Sequence, residues 1–425
     1  MSYIHIIDPC FEPKIGTNGI SQSEFESTLS KTSQILGKIV EGKDSGELPL
    51  FSISENSSHL KEIREISDKI RTKFSTLFLL GTGGSSLSGQ CLAGISKKNS
   101  NDFKIIFMDN VDPETLNRKL SNANLKKTCF LAISKSGKTI ETLAQLGSCL
   151  SAVSSELGEE AIKERFIVIT DPAPNPLRRI GKNLGITVLD HEKDIGGRFS
   201  IFTNVGLIAA SLSGIDIGAL CKGAAKAVSN GVNCESSQNS EPAKGAVINY
   251  LMMNRGVHAM VFMPYIDMLA EFTMWLRRIW AESLGKDGKG TTPIKAMGTL
   301  DQHSQMQLYL DGPNDKMFTF FSLENLPRSI EINHLVDGEV SYLNGRALGD
   351  VLKVSFEATT KIMINKNLPV RSFIISDLNE ETLGELIMHF ILETVITAKL
   401  MGVNPFDQPA VEAGKNLARE LLEEM

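Results

Sequence analysis

The chain holds little that would staple it, anchor it or load it with metal. Its six cysteines (Cys10, Cys91, Cys129, Cys149, Cys221 and Cys234) form no CxxC pair, and several lie in apolar stretches such as TCFLAI at 128–133. That pattern argues against a disulfide framework and fits a reducing, cytoplasmic setting. Seven histidines show no HExxH or comparable spacing, so no metal site is expected. No run reaches the roughly 18 apolar residues of a membrane span, and none is expected to enter a membrane. The N-terminal MSYIHIIDPCFEPKIG lacks a basic segment followed by an apolar one, so no secretory signal is expected. Positive charge is also in deficit, with 44 Lys and Arg against 50 Asp and Glu and a net charge of −6. Non-specific attraction to nucleic acid is therefore disfavoured.

What is present is ordinary globular material in quantity. A chain of 425 residues with 42% hydrophobic and 22% charged residues suits two domains better than one core. Short apolar runs alternate with helical patterns. The runs Thr76–Leu80, Phe103–Met108, Thr128–Ile133 and Arg165–Thr170 read as strands, as do His258–Met263, Met317–Phe321 and Ser372–Ile375. Uninterrupted apolar runs separated by helices predict parallel sheets covered on both faces. Helices are expected over Leu207–Val228, Asp267–Leu284 and Thr382–Leu400, with a terminal helix in the last twenty residues. The polar stretch Ser229–Ala243 reads as a surface connection. Two α/β domains follow, with a boundary near residues 205–245.

In such sheets ligands bind beyond the carboxyl ends of the strands, so the loops there carry the chemistry. TLFLL is followed by Gly81-Thr82-Gly83-Gly84-Ser85-Ser86. Glycines before a helix N-terminus suit an anion, but a tight turn capped by a serine reads equally well. The register misses GxGxxG, so no dinucleotide fingerprint is present. TCFLAI is followed by Ser134-Lys135-Ser136-Gly137-Lys138-Thr139, then Thr142. Gly137-Lys138-Thr139 resembles the end of a Walker A loop. That motif needs a further glycine where Ala132 stands, so the nucleotide reading fails. Hydroxyl and backbone donors still suit a phosphate monoester, or they merely cap the next helix.

Asp194-Ile195-Gly196-Gly197-Arg198-Phe199-Ser200 offers a sharp glycine turn. It either aims one guanidinium inward or leaves an exposed arginine. In the second half, Glu282 sits where an apolar helix gives way to a Gly/Lys-rich loop, in WAESLGKDGKG. Partial burial there would raise its pKa and suit a base, whereas exposure would leave a simple helix-end charge. His303 in GTLDQHSQMQL and Lys415 in FDQPAVEAGKNLARELL read, taken singly, as a packed or surface histidine and a solvated helix lysine.

Taken in chain order, GTGGSS, SKSGKTIET, DIGGRFSIFTNVG, WAESLGKDGKG, GTLDQHSQMQL and FDQPAVEAGK resemble the glucose-6-phosphate isomerase family, between about residue 81 and residue 415. The resemblance implies an α/β fold of two sugar-isomerase (SIS) domains, each a parallel sheet flanked by helices. The first would span 40–215 and the second 240–405. A C-terminal helix over 406–425, carrying Lys415, would complete the active site. It implies reversible isomerisation of glucose 6-phosphate and fructose 6-phosphate through ring opening and a cis-enediolate, without cofactor or metal. Gly84, Ser85, Ser134, Lys135, Ser136, Thr139, Thr142, Gly197 and Gln408 would bind the sugar phosphate. Glu282 would be the base, Arg198 the enediolate stabiliser, and His303 with Lys415 the ring-opening pair. A cytoplasmic homodimer is implied, His303 coming from the neighbouring subunit. Pro409 and Ala410 depart from the family's usual aromatic residue and glycine beside Gln408. The alternative is a non-catalytic sugar-phosphate-binding regulator of the same fold. The presence of Glu282, His303 and Lys415 argues against it.

Overall fold

The computed structural model of the protein describes residues 2–96, 103–232, 236–327 and 329–425. Cys234 and positions 233–235 of the expected polar connection lie outside these. The strands are β1 (Tyr3–Ile6), β2 (Thr76–Leu80), β3 (Lys104–Met108), β4 (Thr128–Ile133), β5 (Phe166–Thr170), β6 (Thr187–Asp190), β7 (Ala259–Pro264), β8 (Thr292–Lys295), β9 (Lys316–Leu323), β10 (Glu331–Ile332), β11 (Arg346–Ala347) and β12 (Val370–Ile375). Two compact units form, one of residues 1–40 and 226–405, the other of residues 41–225 and 406–425.

The unit of residues 41–225 and 406–425 contains a sheet in the order β3-β2-β4-β5-β6, every neighbouring pair parallel. All six residues of β4 are buried. A strand covered on both faces favours apolar side chains on both, which is why TCFLAI does not alternate after Thr128. On one face Phe130 packs between Phe78 and Phe166, with ring centroids 5.3 and 4.7 Å away. Leu146, Cys149, Val153 and Leu177 from the covering helices complete that core. The helix Gly84–Ala93 lies close to Asn204–Leu212, and a Cβ added at Gly89 would fall 2.9 Å from that of Ala209.

The single helix expected over Leu207–Val228 is two helices, Asn204–Leu212 and Ile217–Val232. Gly214 has φ +80° between them, a conformation that ends a helix and that glycine reaches without strain. The polar connection is also shorter than expected. Helix continues to Val232, and a capped turn at Ser237–Asn239 leads directly into the helix Glu241–Asn254.

The other unit holds the order β1-β12-β9-β7-β8, parallel except for β1, which pairs antiparallel with β12 at the edge. The helix Glu380–Met401 is buried along nearly its whole length. It carries Glu385, His389 and Glu393, which fall one turn apart on one face. Arg371 makes a two-pronged ion pair with Glu393 at 2.9 and 2.7 Å, and neither side chain touches solvent. Asn249 also donates to Glu393 at 2.7 Å, and Thr319 accepts from Arg371 at 2.9 Å. With Glu393 accepting from His389 Nε2 (3.1 Å), His389 Nδ1 receives the Tyr3 hydroxyl (2.7 Å). The charged members Arg371 and Glu393 are paired with each other and bonded further, which offsets the low-dielectric penalty on the buried charges. Gly245 is required beside this network, because a Cβ there would lie 2.1 Å from Glu393 Oε2.

The same network pins the N-terminal strand. His5, its side chain fully buried, stacks on Phe373 at 4.3 Å and places Nδ1 3.1 Å from Glu241. Nδ1 therefore donates, and the buried Nε2 has no hydrogen-bond partner among the described residues. Burial pushes the His5 pKa down to about 4, with Arg371 and His389 acting in the same direction against Glu241 and Glu393. Burial would raise Glu241, but hydrogen bonds from His5 and Lys244 hold it at about 2. An undocked histidine takes up a proton near pH 6.5 and the docked one only near 4, so between these values the unfolded state binds the extra proton. Stability from His5 is thus complete above pH 6.5 and lost as pH falls toward 4. Glu241 adds to this only below its ordinary range, near 4.5. His5→Asn is expected to flatten the pH dependence of urea unfolding across that window by about one proton, or roughly 1.4 kcal/mol per pH unit.

Candidate functional site

Strands β2 and β4 are neighbours with Leu80 beside Ala132, so the loops that follow them emerge side by side. A Cβ added at Gly81 would fall 2.8 Å from the Ser85 Cβ and 3.1 Å from the carbonyl oxygen of Ile133, which shows how closely the loops approach. The helix Gly84–Ala93 begins after Gly83, whose φ is +60°. No side chain caps it, so the serine-cap reading of this loop is not what the fold uses. Gly84 is buried and Ser85 is half-buried in its first turn. The helix Ile140–Leu157 likewise begins without a side-chain cap from Thr139. Two adjacent helix N-termini thus present backbone donors and positive dipole ends at one edge of the sheet.

The hydroxyls cluster there. Ser134 and Thr139 place their oxygens 2.8 Å apart. Thr142 is buried, and its Oγ1 has no hydrogen-bond partner among the described residues. An unsatisfied buried hydroxyl costs about 1–3 kcal/mol, a cost that a bound anion would remove. Ser136 is exposed and accepts from the Lys138 amide at 3.2 Å. The loop turns at Gly137, which has φ +63°, and Leu177 N–H donates to its carbonyl at 3.2 Å. Asn175 supports it from below. Its Oδ1 accepts from Thr170 (3.2 Å) and from the Arg178 amide (2.9 Å), capping the helix Pro176–Asn183. Asn175 was not among the expected site residues. Its signal was Asn-Pro at a helix start, a cap followed by proline at the first helical position.

Arg198 is buried, which excludes the exposed-arginine reading. Its guanidinium donates to the carbonyl of Asp407 (2.9 Å) and to Gln408 Oε1 (3.2 Å), and lies 5.1 Å from the Phe199 ring centroid. Phe199 in turn packs on Phe406 at 5.6 Å. Gln408 and Arg198 are therefore brought together, and Pro409 does not displace the glutamine. Gly196 has φ −65°, which any residue adopts, so the turn does not depend on glycine's conformational freedom as expected. A Cβ at Gly197 would meet nothing within 4 Å, so the backbone there is open to approach.

In the other unit, Glu282 stands in the last turn of the helix Ala270–Leu284, half-buried, with Arg278 Nε donating to Oε1 at 2.8 Å. Arg278, one turn earlier, is a second residue not singled out from sequence. Past Glu282, the Lys286 ammonium donates to the Asn404 carbonyl and that of Lys289 to Met401 at 2.8 Å. These lysines brace the loop against the end of the helix Glu380–Met401. His303 is exposed in the turn Leu300–His303. Gln302 beside it anchors that turn, donating to the Tyr265 hydroxyl (3.2 Å) and to Thr359. Lys415 lies on the exposed helix Glu412–Glu424 of the unit that holds Arg198, paired with Glu412 at 2.7 Å.

Gly137→Ala is expected to disable the cradle. The added methyl would fall 1.9 Å from Asn175 Oδ1 on a backbone at φ +63°. A loss of more than about 1–2 kcal/mol in stability, with weaker binding of inorganic phosphate by calorimetry, is the expected outcome.

The phosphoglucose isomerase family model matches residues 52–319 and 342–425. The chain is 36% identical over 420 residues to a probable glucose-6-phosphate isomerase of Methanococcus maripaludis, covering 98% of this chain and 93% of that protein. It is 33% identical to a glucose-6-phosphate isomerase of Rubrobacter xylanophilus, covering 94% of each. A crystal structure of a hypothetical protein of Thermus thermophilus superposes with a TM-score of 0.87 at 30% identity, covering 99% of both chains. With its parallel sheets, its paired hydroxyl loops and a match over most of its length, the chain belongs to the phosphoglucose isomerase family.

Proposed function

We propose that this chain interconverts glucose 6-phosphate and fructose 6-phosphate, in glycolysis and in gluconeogenesis. The observation that carries the reading is the cradle of Ser134, Thr139 and the unsatisfied Thr142 hydroxyl beside an uncapped helix, in a chain of this family. In this reading Gly84, Ser85, Ser134, Lys135, Ser136, Thr139 and Thr142 surround the phosphate, while Gly197 and Gln408 line the sugar. The phosphate supplies binding energy remote from the reacting carbons.

The chemistry assigned to the remaining residues is conserved in atoms. His303 and Lys415 open the ring, moving the proton of the O1 hydroxyl to the ring oxygen. Glu282 takes the proton from C2, and the electron pair of that C–H bond forms the enediolate double bond. Arg198 stabilises the negative charge on oxygen, and its burial in a fixed geometry supports that role. The O2 hydroxyl proton passes to O1, Glu282 returns its proton to C1, and the carbonyl is left at C2. Hydrogen only moves within one substrate, so no net redox partner is consumed. We assign His303 to a neighbouring subunit's site in a cytoplasmic homodimer; its exposure supports that assignment.

Purified protein is expected to convert fructose 6-phosphate in a coupled assay without nucleotide. Folded protein that binds the sugar phosphate but does not turn it over would instead be a binding regulator. Glu282→Gln is expected to lower kcat by about 10²–10⁴ with substrate binding retained. Near-normal turnover by that variant would remove Glu282 as the base.

A further inference from the structure

One side chain joins the phosphate loop to the arginine segment. Lys135 follows Ser134 at the end of β4, and its ammonium donates to the carbonyls of Lys193 (2.6 Å) and Ile195 (2.8 Å). Those two carbonyls lie immediately before Gly196-Gly197-Arg198. The main chain of Lys135 is pinned as well, its carbonyl accepting from the Asp171 amide at 3.1 Å and from Thr170 Oγ1 at 3.4 Å. Ile195 itself is buried, so the segment has a fixed apolar foot beside the bonded carbonyl.

A lysine in a phosphate-binding loop is ordinarily read as a point charge for the anion. Here two of the three ammonium donors are spent on main-chain oxygens. Burial lowers the Lys135 pKa, while Asp171 and Asp194 oppose that shift. The segment from 193 to 198 is thus held at two places. Lys135 holds its start, and Asp407 with Gln408 holds the Arg198 guanidinium.

We propose that Lys135 is a positioning residue for the isomerisation, its ammonium tying the phosphate loop to the Lys193–Ile195 carbonyls so that Arg198 is set in register with the bound phosphate. The inference rests on the isomerase reading above, and it changes what Lys135 contributes to that reading. The lysine acts through Arg198 and not on the anion. A segment released from Lys135 would let Arg198 drift relative to a substrate anchored by its phosphate, and small misplacements of this kind are costly to kcat.

Lys135→Met keeps the apolar stem and removes the donors. It is expected to lower kcat on fructose 6-phosphate roughly tenfold to a hundredfold. The dissociation constant of inorganic phosphate, by calorimetry, is expected to stay within about threefold. Amide hydrogen exchange at Gly196–Arg198 is expected to accelerate in the same variant. Lys135→Arg, whose guanidinium can reach two carbonyls, is expected to recover most of kcat. If the methionine variant does not fold, Lys135→Gln carries the same comparison with one amide donor. A fall in phosphate affinity as large as the fall in kcat, steeper at low salt, would make Lys135 a direct phosphate ligand and overturn the proposal. Unchanged kcat and unchanged exchange would also overturn it. Absence of turnover in the wild-type protein would sink the isomerase reading instead, while the phosphate-affinity and exchange measurements would still decide the role of Lys135.

Discussion

Strands β2 and β4 are almost wholly buried, and much of this protein's chemistry follows from that constraint. A strand covered on both faces cannot carry a polar group without desolvating it. Polar side chains are therefore excluded from Leu77–Leu80 and Thr128–Ile133 except at their ends. Hydroxyls appear as soon as the chain leaves the sheet, at Thr82 and then Ser85 after β2 and at Ser134 after β4. Because the two strands are parallel and adjacent, both exits fall at the same edge, and each is followed by a helix whose N-terminus lacks a side-chain cap. The proposed anion site is where a buried parallel sheet first meets groups that can hydrogen-bond.

Rigidity around that edge comes from main-chain hydrogen bonds more than from ion pairs. Lys135 grips two carbonyls, Asn175 fills the space that Gly137 leaves, and Asp407 holds Arg198 through its backbone oxygen. Carbonyl acceptors cannot be titrated or screened away as carboxylates can. In the other unit the opposite device operates. Arg371, Glu393, His389 and Tyr3 form a buried, fully bonded network, which joins the edge strand β1 to the helix Glu380–Met401. Such a network tolerates no partial loss, because removing one member leaves a charge unpaired in a low-dielectric interior.

Much of this architecture is legible in the sequence. Seven apolar runs mark strands at nearly their true bounds, since length and the absence of alternation suffice when both faces are buried. Strands β6 and β8 escaped notice, being short and only partly buried. Strand β1 escaped because Tyr3-Ile4-His5-Ile6 pairs with β12, more than three hundred residues distant, and its histidine reads as polar until burial is known. The break at Gly214 was hidden within a run of alanines and leucines whose helical pattern continues on both sides. At the site, the hydroxyls and Arg198 were visible as residue types in loops. Arg198's burial, its grip on Asp407 and Gln408, and the supporting role of Asn175 were not, because each depends on segments that sequence order keeps apart.

The order of residues was enough for the class of the fold and for the failure of the Walker pattern at Gly137-Lys138-Thr139, and it marks the loops proposed to bear the chemistry. Those are local properties: period, apolar run length, and the presence of Ala132 where a Walker loop needs glycine. Tertiary structure alone decided which donors the loops still have to offer. Lys135 is spent on carbonyls about sixty residues away, and Thr142 keeps a hydroxyl with no partner among the described residues. Hydrogen-bond satisfaction is a property of neighbours in space, and a list of residue types does not contain it.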